Sequence, residues 1–536
     1  MPISSSRAPL VLCLLLVLFT SITSPLPLST DGRWIVDATT GRRAKLACVN
    51  WAAHLEPMLA EGLDKKPMGD IVAEIRRLRF NCVRLTWATY MFTRPSLGER
   101  PVGETLDTLG LAKAKGGVAR NNPLVLSMTH VEAYAAVVDE LGKQGVMVVL
   151  DNHVSKPMWC CPYDDGNGFF GDEYFDPQEW LRGLVAVAEH FHGKGQVVGP
   201  SPRNELRGSR QNEHDRYPYI RIGATKVHQA NPNVLVIVSG LTWASDLSFL
   251  KKRPMGPDLN HKPVYEAHWY SFGGDRKVRE VKPVDRVCAN GVQRMDDQAG
   301  FLASGPGAVP LFSSEFGFDR SGKSRADDRF LSRFMGYATG KDLDRALWTL
   351  RGSYYYREGV VGLDETFGVL DFDWDGLRNP KFKERFQPMR TMIQDPSSNS
   401  SLSYIMYHPQ SGRCIRANNN RKIGAAECQR RSRWSHDRDG GPIRLMGTPL
   451  CLEAVADGLP ATLSIDCSSR LSAWRLISNS NLQVAATDGR GNHLCLDKKS
   501  NESSVILTRK CICADDDSGC MENPQGQWIK FVPTDT

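Results

Sequence analysis

From about residue 30 to residue 395 the chain alternates short apolar runs with longer amphipathic or polar stretches. Eight runs, at 45–50, 82–87, 145–150, 197–203, 234–240, 263–268, 309–314 and 345–350, are rich in Val, Ile and Leu. Near-continuous runs of this kind suit strands covered on both faces. Helical spacing recurs between several of them, at 68–78, 129–141, 177–190 and 219–229. The alternation predicts an α/β fold with a parallel sheet, and eight units predict a (β/α)8 TIM barrel with large loops. An open doubly wound sheet competes with it, but no glycine-rich phosphate loop follows the first run.

The fourth run contains Pro200 and Pro202. Every barrel strand is a central strand, where proline removes a ladder hydrogen bond. Two outcomes stay open: a local bulge or shortened strand, or a damaged strand.

Beyond 395 the pattern changes. Residues 396–403 read as a small-residue linker. From 404 to 536, short strands between Gly, Pro and Asn turns predict a smaller all-β domain. It repeats three times. Cys414, Cys451 and Cys495 each open a unit, Cys428, Cys467 and Cys511 answer them, and Trp434, Trp474 and Trp528 follow. One disulfide per unit and a core tryptophan in each are expected.

At 536 residues the chain exceeds one hydrophobic core. Arg7 and the apolar stretch 9–19 mark residues 1–24 as a signal peptide, which leaves the barrel domain to span 25–395. No later stretch is apolar enough to span a bilayer, so no membrane anchor is expected after signal removal. The net charge of +7 is mild, and without a dense Lys/Arg block no nucleic-acid partner is expected. Of 14 cysteines, eight fall in the last quarter, which suits an oxidising compartment. Removing Cys13 with the signal leaves thirteen, so at least one thiol is unpaired within the chain. The adjacent Cys160 and Cys161 are expected to pair elsewhere, and Asn399 and Asn501 head glycosylation tripeptides.

Candidate chemistry gathers where the apolar runs end. Glu205 follows the fourth run and Glu315 the seventh. The C-terminal strand ends form the active face of such barrels. Two carboxyls there, one protonated and one ionised, are what cleavage of a glycosidic acetal needs. Arg84, the set Asp151-Asn152-His153, the set His268-Trp269-Tyr270, and Trp348 occupy neighbouring runs. An arginine keeps a carboxylate ionised, and a flat indole stacks on a pyranose.

This ordered set resembles glycoside hydrolase family 5, of the cellulase and mannanase superfamily. The family's pattern of Arg, His, Asn-Glu, His-x-Tyr, Glu and Trp is met by Arg84, His153, Asn204-Glu205, His268-x-Tyr270, Glu315 and Trp348. The resemblance implies a retaining enzyme with Glu205 as acid/base and Glu315 as nucleophile. It implies Asn204 on the sugar 2-hydroxyl, Tyr270 against the nucleophile, and no metal or cofactor. It is nearest to secreted plant members with an extra C-terminal domain, which places the protein in the cell wall or apoplast. The C-terminal repeats resemble the ricin B-type lectins, a β-trefoil family. An aspartate two residues after the first cysteine of a unit helps bind sugar in that family. The position here reads Arg416, Glu453 and Asp497, so Asp497 is the candidate for a glycan ligand.

The expectation is a secreted β-glycosidase acting on a β-glucan or β-mannan type polysaccharide or oligosaccharide. The alternatives are a carbohydrate-binding protein without turnover, and transglycosylation through the same glutamates. Substrate-selecting loops are expected within 93–123 and 164–176.

Overall fold

The computed structural model describes residues 27–254, 259–273, 280, 283–380, 385–386, 393–418, 421–498, 504–514 and 520–536. The proposed signal peptide and the Asn501 tripeptide lie outside the described residues.

Eight parallel strands form one sheet: β1 (Ala47–Trp51), β2 (Cys82–Ala88), β3 (Met147–Val154), β4 (Val197–Ser201), β5 (Val236–Ser239), β6 (Pro263–Tyr270), β7 (Leu311–Gly317) and β8 (Asp344–Leu347). Their order runs β4-β3-β2-β1-β8-β7-β6-β5. The two ends meet where Leu235 N donates to Val198 O at 2.9 Å, which closes the barrel. Gly199 permits the approach, since a Cβ there would lie 2.8 Å from the Leu235 carbonyl oxygen. All eight expected runs are strands.

The four helices expected from the spacing are present as α1 (Met68–Arg77), α2 (His130–Lys143), α3 (Pro177–His190) and α4 (Glu213–Ala230). Two further long helices, α5 (Val284–Gln298) and α6 (Arg325–Gly340), were not marked by it. Thr129 and Glu132 form a reciprocal capping box on α2, and Asp176 caps α3 ahead of Pro177. An N-terminal hairpin, Leu28–Asp31 with Trp34–Asp37, packs Leu28 and Ile35 against the inward residues Val149, Val198, Val264 and Phe312. This apolar plug and the Cys48–Cys82 disulfide seal the lower barrel.

The prolines end β4 early rather than spoil it. The register of β4 against β3 shifts between Val148 and Val149, so the strand bulges, and it stops at Ser201. Side chains then take over from the ladder: Trp180 donates to Pro202 O at 2.7 Å, and Ser239 to Arg203 O at 2.7 Å. This is the bulged, shortened strand of the two outcomes left open.

After the barrel, the described residues are all-β, in two sheets. The three expected disulfides join Cys414 to Cys428, Cys451 to Cys467, and Cys495 to Cys511, with a fourth between Cys513 and Cys520. Cys288 on α5 is the free thiol among the described residues, and it is buried. Cys160 and Cys161 depart from expectation, because they bond to each other. The tryptophans also divide. Trp434 and Trp474 fill the core of the all-β unit, whereas Trp528 packs with Val284 and Cys288 of α5.

Trp528 therefore serves the junction with the barrel. Its Nε1 donates to Asp285 Oδ1 at 2.9 Å, and burial pushes the Asp285 carboxyl up to about 6. The segment read as a linker is pinned as well: Asp395 N donates to Asp535 Oδ1 at 2.9 Å, and Ser398 Oγ to Asp535 O at 2.7 Å. Truncating Trp528 to Ala is expected to cost about 3–5 kcal/mol of stability, the usual range for a buried tryptophan. Scanning calorimetry checks this, and an unchanged transition would contradict it.

Candidate active site

A cleft of about 630 Å³ opens at the C-terminal ends of the strands. Of the eight ordered candidates, His153, Glu205, His268, Tyr270, Glu315 and Trp348 line it, while Arg84 and Asn204 lie buried behind them. Three register shifts put them there. On β3 the shift against β2 falls at His153. On β7 an extra residue intervenes between Phe312 and Glu315 relative to both neighbours. Phe312 faces the barrel interior, so strict alternation would turn Ser314 inward and Glu315 outward. The bulge lets both face the site: Ser314 Oγ lies 3.0 Å from His268 Nε2, and Glu315 reaches Arg84.

Arg84 is the third residue of β2 rather than its end, and it organises the layer beneath the cleft. Its Nη1 donates to Glu315 Oε1 at 2.6 Å and to Asn50 Oδ1 at 3.1 Å. Its Nη2 donates to Asp151 Oδ1 at 2.8 Å and to Asn204 Oδ1 at 2.9 Å. Tyr270 adds a second donor to the nearer carboxyl, its hydroxyl lying 2.5 Å from Glu315 Oε2.

Glu205 sits four residues past its strand. Arg207 Nη1 donates to its carbonyl at 2.7 Å, and Asn204 N donates to Asn152 O at 2.9 Å. Its carboxyl meets His268, with Nδ1 2.8 Å from Oε1, and the same nitrogen is 3.7 Å from Glu315 Oε2. A carboxyl oxygen of Glu205, one of Glu315 and His268 Nδ1 thus lie within 4.8 Å of one another. The spacing alone would suit a cation. Arg84 already supplies the compensating charge beside Glu315, and the trio is better read as proton chemistry.

The two glutamates differ in what holds them. Burial pushes the Glu205 carboxyl up to about 8, against the opposing charges of Arg207 and Arg84. Burial also raises Glu315, but His268, Arg84 and the Tyr270 hydroxyl all favour its ionised form. Burial holds His153 well below the usual imidazole range. Neutral His153 donates a hydrogen bond from Nδ1 to Asp151 Oδ2, 2.5 Å away, and its Nε2 faces Asn204 Nδ2 at 3.4 Å. Trp348, just past β8, stacks on His153 with ring centroids 5.5 Å apart.

The cleft walls were not foreseen. They come from Trp159 with the Cys160–Cys161 pair, Trp243, Phe272 and Phe367. None of the lining residues lies in 93–123 or 164–176. The first of those segments is largely helical, and Val102, Leu106 and Val118 join the main core. Trp243 stands in a left-handed turn with Thr242 and Ala244, and donates to Cys161 O at 3.0 Å. No periodicity marks such a turn. Asp497, the lectin candidate, is buried, with Oδ2 accepting from Gln527 Nε2 at 3.1 Å.

The family model described as cellulase, glycosyl hydrolase family 5, matches residues 49–353. The chain belongs to glycosyl hydrolase family 5. It is 44% identical over 540 residues to a glycosyl hydrolase 5 family protein of Chamaecyparis obtusa, covering 98% of this chain and 96% of that one. It is 21% identical to an endoglucanase of Paenibacillus polymyxa over 66% of this chain and 84% of that one. A solved endocellulase from Pyrococcus horikoshii superposes with a TM-score of 0.55 at 18% identity, covering 68% of this chain and all of that one. The catalytic domain of the major endoglucanase from Xanthomonas campestris pv. campestris gives a TM-score of 0.54 at 20% identity, with 68% and 100% covered. These structures share the barrel fold. The protein is a glycoside hydrolase.

Replacing Tyr270 by Phe removes a donor from Glu315 and is expected to raise that carboxyl's pKa further, as losing a charge-assisted hydrogen bond should. A carbon-detected NMR titration of the side-chain carboxyls measures it. An unmoved titration would mean that the hydroxyl does not serve Glu315.

Proposed function

We propose that the protein is a secreted, retaining β-glycosidase that cleaves a β-linked glucan, with Glu205 as acid/base and Glu315 as nucleophile. The observation that carries this is the placement of the two carboxyls within 4.8 Å of each other across a shared His268. Retaining enzymes hold their carboxyls about 5–5.5 Å apart, whereas inverting ones leave about 6.5–9.5 Å for a water. Glucan is favoured over mannan by relatives named endoglucanase, and by an endocellulase solved as a cellotetraose complex. The six disulfides among the described residues support an oxidising compartment.

In the first step Glu315 Oε2 attacks the anomeric carbon and Glu205 protonates the departing glycosidic oxygen. The product is a glycosyl ester on Glu315 and a free leaving group. In the second step Glu205, now ionised, takes a proton from water. That water displaces Glu315 and restores both carboxyls. Tyr270 and Arg84 hold Glu315 in its ionised form for the attack. Asn204 would meet the sugar 2-hydroxyl through Nδ2, which is aimed at the cleft-lining residues His153, Cys160 and Cys161.

The C-terminal unit is proposed as a ricin B-type β-trefoil, on its three disulfide-and-tryptophan repeats. Burial of Asp497 argues against an open sugar site at that residue, so an Asp497→Asn variant is expected to retain any glycan binding measured by affinity electrophoresis.

Incubation with a 2-deoxy-2-fluoro glucosyl donor bearing a good leaving group is expected to label the Glu315 peptide in mass spectra. Absence of both label and turnover across a sugar panel, with glycan binding intact, would sink the enzyme mechanism and favour the binding-protein alternative. The pH profile has a sign. Glu205 must be protonated, so activity present below about 8 is lost as pH rises through it. Glu315 must be ionised, and its raised pKa brings the acid limb above the ordinary carboxylate range. In Glu205→Ala the alkaline limb should vanish and kcat on a natural glucan fall about 10²–10⁴-fold. A dinitrophenyl glycoside, which needs no proton, should still be glycosylated quickly.

A further inference from the structure

Beneath the cleft, the Arg84 guanidinium faces three carboxyls: Glu315 at 2.6 Å, Asp151 at 2.8 Å and Glu266 at 3.6 Å. All four side chains are buried. Around them, burial lowers the imidazoles of His153 and His268, Tyr270 bonds Glu315 as a phenol, and Arg203 acts on Asp151 without an ion pair to it. Three carboxylates would therefore share one contacting cation in a buried layer. Charge left uncompensated there is costly, and one carboxyl must carry a proton.

The hydrogen bonds identify which one. Asp151 has both oxygens served, Oδ1 by Arg84 and Oδ2 by His153 Nδ1. Glu315 likewise has both, by Arg84 and Tyr270. Glu266 does not. Its Oε1 lies 2.5 Å from Ser201 Oγ, and its buried Oε2 accepts no hydrogen bond from the described residues, Arg84 Nη2 standing off at 3.6 Å. An ionised Glu266 would leave an anionic oxygen without a hydrogen bond inside the barrel, whereas a neutral acid leaves only a carbonyl oxygen. The strands flanking Glu266 bring Ser239 and Phe312 opposite it, and neither carries charge.

We propose that Glu266 is held as the neutral acid, donating from Oε1 to Ser201 Oγ. Glu266 is then a positioning residue for the reaction. It fills the sixth-strand wall of the charge layer without drawing on Arg84, whose charge stays divided between Asp151 and Glu315. Ionised, it would compete for the guanidinium and push the Glu315 carboxyl further towards protonation. This consequence rests on Glu315 being the nucleophile; the protonation state of Glu266 does not.

Infrared difference spectra of the whole protein test the protonation state. A carboxylic-acid carbonyl band is expected to persist above the pH at which Glu205 ionises, about 8, and to vanish in Glu266→Gln. In Ser201→Ala, which keeps Glu266, that band should shift as its hydrogen bond is lost. A spectrum with no such band, or a band unaltered by both variants, overturns the proposal whatever Glu315 does. Kinetics test the role. Glu266→Ala is expected to lower kcat about tenfold, and Glu266→Gln, neutral and able to donate to Ser201, to recover most of it with the acid limb unmoved. If Gln instead shifts the acid limb to lower pH, a negative charge has been removed from beside Glu315, and the neutral acid is refuted.

Discussion

The buried guanidinium of Arg84 is the constraint on which the site depends. It contacts Asn50 on β1, Asp151 on β3, Asn204 past β4, Glu266 on β6 and Glu315 on β7. An arginine is suited to this because its planar fork reaches several acceptors in fixed directions and it does not lose its proton. Leaving that charge unpaired inside the barrel would cost several kcal/mol, so the strands around it must present acceptors. The same demand fixes the angles from which Glu315 and Asn204 are held.

Above that layer, asymmetry between the two glutamates is set by what touches each. Glu315 receives a guanidinium and a phenol, and Glu205 meets a neutral imidazole. Burial acts on both, so donors and not depth separate them. Two acids of one chemical type thereby acquire two protonation tendencies within one cleft.

The all-β unit is joined to the barrel through packing and directed hydrogen bonds together. Ile405, Tyr407 and Val532 enter the same apolar cluster as the barrel residues Phe334 and Met335. Trp528 and Asp285 add a polar contact that only one docking satisfies. Such a junction holds the two parts at one orientation and leaves little freedom at the segment after Asp395.

The sequence by itself determined the eight strands, the helices α1 to α4, the three disulfide repeats and the set from Arg84 to Trp348. Each of the structural elements rests on a local or periodic cause: apolar runs make buried strands, helical spacing marks helices, and paired cysteines staple repeats. It did not disclose that Glu315 turns inward, because strict alternation from Phe312 points it outward and the extra residue on β7 is visible only against β6 and β8. Nor did it disclose Ser201 and Glu266, which carry no motif and gain meaning only when the closed barrel brings them beside Arg84. Trp528 looked like its two repeat partners and faces the barrel instead. The Cys160–Cys161 bond and Trp243 on the cleft wall have the same origin. A chain's periodicity records which residues are buried; which buried residues meet across a barrel is decided by closure, register and bulges.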